Sequence, residues 1–178
     1  MFKTKITKEE VNTLPVVIFE GKITLVDDLS KVNSAIGELR KSNVVGLDTE
    51  TKPSFTRGTH HKVSLVQIST LDHCFLFRLN LIDFPAALAE FLADQSIQKI
   101  GLSLRDDLIG LNKRHAFKPA GFIDIQAIAQ HYGILELSLQ VNIRGKIQVT
   151  LPSKIMSLHI VQMQVLQWVD MIKREGIH

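Results

Sequence analysis

Asp48 and Glu50 stand two apart at the end of the apolar run Val44-Val45-Gly46-Leu47. Side chains alternate along an extended chain, so both carboxyls project from the same side of it. Hard oxygen ligands at the C-terminal edge of a buried strand suit Mg²⁺ or Mn²⁺, which are held by a few carboxylates while water and substrate phosphate complete the shell. Two such ions about 4 Å apart would activate a water and stabilise the leaving oxygen in phosphodiester cleavage. The same residues also fit a solvated turn and helix cap. A second apolar run followed by acids, Ile100-Gly-Leu-Ser-Leu-Arg-Asp106-Asp107, comes about 60 residues downstream. Acids that open a helix are also natural partners of its dipole.

The elements that must position these groups are legible from periodicity. Val16 to Phe19 and Ile23 to Val26 read as short strands around a turn at Gly21 and Lys22. Leu29, Val32, Ala35, Ile36 and Leu39 recur at helical spacing, predicting a helix over about 28–42. Val44 to Asp48 is a buried central strand followed by a polar loop, Thr51 to His61, with Pro53 and Gly58. Val63 to Ser69 and Cys74 to Arg78 predict a hairpin turning at Asp72-His73. Asp83-Phe84-Pro85 predicts a helix cap with proline at an early helical position, Ala86 to Leu92 a helix, and Lys99 to Leu102 a strand. A helix from Asp106 to Lys113, an extended Phe122 to Ile125, a helix from Gln126 to His131 and a late helix over 160–172 complete the α/β alternation. Residues 1–15 read as a polar leader before one domain over 16–178.

Composition excludes some classes and weakly favours others. With 178 residues and 45% hydrophobic content the chain can bury a core without disulfides, and its one cysteine, Cys74, lies in an apolar run. No membrane span or signal-peptide apolar segment is evident, which points to the cytoplasm. Net charge is only +3, with the excess concentrated after residue 140, where Arg144, Lys146, Lys154, Lys173 and Arg174 face Asp170 and Glu175. Adjacent His60 and His61 would point to opposite sides of a strand, which argues against zinc. The stripe Val165, Trp168, Val169, Ile172 reads as packing.

Taken together, Leu47-Asp-Thr-Glu50, the loop Thr-Lys-Pro-Ser-Phe-Thr-Arg-Gly58 and the strand Lys62-Val-Ser-Leu-Val-Gln-Ile-Ser69 resemble the first motif of DEDD-superfamily 3′–5′ exonucleases, in the RNase D and Werner-type branch. Lys99-Ile-Gly-Leu-Ser-Leu-Arg-Asp-Asp107 resembles the second motif, and Phe122-Ile-Asp-Ile125 with Leu137-Ser-Leu139 resembles the approach to the third. The resemblance covers about residues 16–140. It implies a ribonuclease H-like α/β fold, a mixed sheet flanked by helices. It implies catalytic and metal-ligating roles for Asp48, Glu50 and Asp107, with two divalent ions, Mg²⁺ or Mn²⁺. It further implies hydrolysis of nucleic acid from single-stranded 3′ ends. Thr49, Phe55, Arg57 and Lys62 are the candidate substrate contacts, Phe55 to stack on a terminal base and the cations to meet phosphates.

The branch completes its site with a Tyr or a His separated by three or four intervening residues, respectively, from an Asp on a late helix, and this chain shows neither. His159 is followed at the matching place by Gln164, and Asp170 is preceded there by Leu166. The alternative is therefore a catalytically impaired or truncated exonuclease-like domain that binds nucleic acid.

Overall fold

A computed structural model of the chain describes residues 19, 21–51 and 61–127. Strand β1 (Lys22–Val26) leads into helix α1 (Leu29–Leu39), which Asp28 caps by accepting Ser30 N–H at 2.8 Å. Within α1 the predicted stripe Val32, Ala35, Ile36 and Leu39 is buried. Strand β2 (Val44–Thr51) runs on three residues past the predicted end, because Asp48, Thr49 and Glu50 pair with Gln67, Val66 and Leu65 of β3 (Val63–Ser69). The candidate acids thus sit on a paired strand. Strand β4 (His73–Arg78) completes the predicted hairpin.

Two local expectations change between β4 and the next strand. A short helix, α2 (Leu79–Ile82), intervenes, ending at Asp83 with φ 53°, and Pro85 is the N-cap of α3 (Ala86–Leu92) instead of lying inside it. Proline serves there because its carbonyl still accepts the amides of Leu88 and Ala89, at 3.0 and 3.1 Å. Strand β5 (Gln98–Gly101) then enters one residue earlier than predicted, helix α4 runs Leu104–Arg114, and β6 spans Phe122–Asp124. The predicted strand at 16–19, the loop over 52–60, the helix at 126–131 and the helix at 160–172 lie wholly or largely outside the described residues.

Among the described residues the strands form one mixed sheet in the order β1-β4-β3-β2-β5-β6. Strands β1 and β4 pair parallel, as do β2 with β5 and β5 with β6, while β3 runs antiparallel to both neighbours. Residues of α1 to α4 pack with Leu47, Val66, Ile68, Phe75 and Phe77 in the main core on one face. The other face carries smaller clusters, Leu65, Cys74 and Leu76 near one edge, and Ile100 and Ile125 near the other. Lys99 is fully buried, with its ammonium donating to the carbonyls of Asp94 (2.5 Å) and Phe91 (3.4 Å). Burial lowers its pKa to about 8.

Candidate catalytic site

Strand β2 is central, flanked by β3 and β5, and it carries Asp48, Thr49 and Glu50 at its C-terminal end. Asp48 lies opposite Gln67 and Glu50 opposite Leu65, and Leu65 belongs to a cluster on the sheet face away from the main core. Thr49 lies opposite Val66, which belongs to the main core. The two acids therefore share one face of β2, as their spacing predicts, and Thr49 faces the side that α4 covers.

Helix α4 brings the third acid. Leu104 and Leu111 are buried in the main core. Asp107, spaced three and four residues between them, is half-buried on the same stripe, whereas Asp106 is exposed. The Asp107 carboxylate accepts the Thr49 hydroxyl at 2.5 Å. Asp107 thus meets β2 at Thr49 and bears on Asp48 through its charge.

That charge is felt. Burial raises the Asp48 carboxyl to about 7, and the neighbouring Asp107 and Glu50 push the same way, against a 2.7 Å bond from Thr49 N–H that favours the ionised form. Asp107 is raised as well, first by burial and then by Asp106, Asp124 and Glu50, while the Thr49 hydroxyl opposes the shift. Buried carboxyls that resist ionising are a common mark of functional sites.

Asp124, at the end of β6, is a residue that motif reading did not single out. Its carboxylate accepts Ser103 N–H at 3.0 Å, Leu104 N–H at 2.9 Å and Gln126 N–H at 2.9 Å. Three backbone amides thus engage its two oxygens. The visible signal was an acid closing a strand in Phe122-Ile-Asp-Ile125.

The donor set of Asp48, Glu50 and Asp107 is all carboxylate oxygen, the ligand chemistry that a hard divalent cation takes. Among the described residues no three His, Cys, Asp or Glu side chains are grouped closely enough to form a cage for one. Such a donor set suits an ion that also draws on water and substrate phosphate, as Mg²⁺ commonly does. Lys62 is exposed just before β3, and Phe55 and Arg57 lie outside the described residues. No helix among the described residues is long and apolar enough to cross a membrane.

Comparison with known proteins gives this geometry a context. Residues 23–151 match the model of the 3′–5′ exonuclease domain family. The mouse (Mus musculus) bifunctional 3′–5′ exonuclease/ATP-dependent helicase WRN is 27% identical over 124 residues, which is 66% of this chain and 9% of the relative. The chain thus spans under a tenth of that protein. The Nibbler EXO domain of Aedes aegypti superposes with a TM-score of 0.63 at 16% identity, over 88% of each chain. RNase D of Trypanosoma brucei in complex with RNA U12 superposes with a TM-score of 0.59 at 18% identity, over 84% of this chain and 62% of that one. The shared fold is the ribonuclease H-like α/β architecture.

Proposed function

This chain belongs to the 3′–5′ exonuclease domain family, and on that premise we propose that it hydrolyses nucleic acid from single-stranded 3′ ends, with Asp48, Glu50 and Asp107 holding two divalent ions, Mg²⁺ or Mn²⁺. The observation that supports this most directly is geometric: Asp48 and Glu50 share one face at the end of β2, and Asp107 in the first turn of α4 reaches the same strand end through the Thr49 hydroxyl. The family generally uses divalent metal ions, and a cation would favour the ionised form of the buried Asp48 and Asp107 carboxyls. When bound, the ions supply charge that offsets the negative charge building on the scissile phosphate and the leaving oxygen.

The protein's own groups have separable tasks in this reading. Asp48 and Glu50 present their carboxyls from one face of β2, where pairing with Gln67 and Leu65 of β3 fixes their spacing. Thr49 holds Asp107 in place through its hydroxyl. Lys62 at the mouth of β3, with Arg57, would meet backbone phosphates, and Phe55 would stack on the terminal base. The site would operate in the cytoplasm.

A second reading, a catalytically impaired domain that binds nucleic acid, draws on a specific observation. Neither a Tyr or His paired with a late Asp in the sequence nor a close group of three acids among the described residues is present. The test is digestion of 3′-labelled and 5′-labelled single-stranded oligonucleotides with Mg²⁺ or Mn²⁺, beside an Asp48→Ala, Glu50→Ala variant. Shortening from the 3′ end that disappears in the variant supports the exonuclease. A folded wild-type chain that retains oligonucleotide but leaves it intact supports the second reading.

A further inference from the structure

Helix α4 starts without a local cap. Its N-cap residue, Ser103, has left-handed backbone angles, φ 57° and ψ 39°, and its side chain makes no capping bond. A left-handed non-glycine residue costs on the order of 1 kcal/mol and persists where its surroundings hold it. Here the holding group comes from another element, since Asp124 at the end of β6 accepts both Ser103 N–H and Leu104 N–H. Its third bond, to Gln126 N–H, ties the same carboxylate to its own strand end. Strand β6 is in turn in register with β5, with Gly101 opposite Asp124, so the backbone of Asp124 meets the end of β5 while its carboxylate meets the start of α4.

Asp107 lies one turn into the helix that this bridge fixes. We propose that Asp124 is a positioning residue for the cation site: through Ser103 N–H and Leu104 N–H it sets the first turn of α4, and so holds Asp107 against Thr49 and beside Asp48. The inference rests on the reading of Asp48, Glu50 and Asp107 as cation ligands. A positioning role differs from plain anchoring of the helix. Arg114, at the other end of α4, also anchors it, donating to the carbonyls of Val63 (2.9 Å) and Leu79, but it lies two turns beyond Asp107.

The experiment titrates Mn²⁺ into the 178-residue chain by calorimetry, comparing wild type, Asp124→Asn, Arg114→Met, Asp107→Ala and the Asp124→Asn, Asp107→Ala double variant. Urea unfolding without metal is measured on each. Asp124→Asn keeps the side-chain shape but one acceptor only, and it should weaken Mn²⁺ binding by on the order of tenfold, the usual scale for groups that orient metal ligands. The loss should vanish in the Asp107→Ala background, because the effect passes through Asp107. Arg114→Met should lower stability yet leave Mn²⁺ affinity within about twofold. Should Asp124→Asn fold poorly, adding Ser103→Gly relieves the left-handed strain, and a restored unfolding midpoint with Mn²⁺ binding still weak supports the proposal. Undiminished Mn²⁺ binding by Asp124→Asn, or an equal loss with and without Asp107, overturns the role of Asp124 alone. A folded wild type that takes up no Mn²⁺ overturns the ligand reading and this role with it.

Discussion

Replacing Asp48 with asparagine should stabilise the metal-free protein, and the gain should depend on pH. The folded chain raises this carboxyl from an ordinary 3.8 to about 7, chiefly by burial and then by the charges of Asp107 and Glu50. Between those two values the native state keeps a proton that the unfolded state has lost, so stability falls as pH rises from about 4 to about 7 and is level above that. At 1.36 kcal/mol per pH unit the gap amounts to roughly 4 kcal/mol, an upper bound because water enters around a newly charged carboxylate. Asparagine has the same shape and no charge to bury. Urea unfolding in chelator at pH 4, 6 and 8 should therefore show Asp48→Asn gaining on wild type by at least about 1 kcal/mol between the lowest and highest pH. Added Mn²⁺ should return stability to wild type at pH 8 and do much less for the variant. A gap between the two proteins that is the same at pH 4 and pH 8 would refute the argument, since a pH-independent difference carries no signature of a strained carboxyl.

Thr49→Val removes the hydroxyl that bonds Asp107, and unfolding at pH 8 should show a loss of about 1.5–3 kcal/mol, the scale for a hydrogen bond to a charged group. An unchanged urea midpoint would mean that Asp107 is held by something else. Gly121→Ala should cost about 1–3 kcal/mol by the same assay, because its backbone has φ 69° and an added Cβ would lie 2.5 Å from the Ile97 carbonyl oxygen. Cys74 is fully buried, and burial pushes its thiol far above the ordinary range, so a thiol reagent should leave the native protein unlabelled and react on unfolding. Rapid labelling under native conditions would contradict the core assigned to β4.

The sequence by itself determined the parts that depend on local periodicity. Alternation placed Asp48 and Glu50 on one face of a strand, and helical spacing delivered the buried stripe of α1, because both patterns are set within a few residues. Motif resemblance pointed to the family whose model matches residues 23–151. The extension of β2 past Asp48 was not legible, since it follows from pairing with β3, whose residues stand about 15 to 20 positions further along the chain. The choice between Asp106 and Asp107 was half-legible: Leu104, Asp107 and Leu111 form one helical stripe, but only docking of those leucines into the core turns Asp107 inward and leaves Asp106 in solvent. Asp124 was hidden for the same reason in stronger form. Its partners stand 20 and 21 residues earlier in the chain, and a carboxylate finds distant backbone amides only after the strand and the helix that carry them have packed side by side.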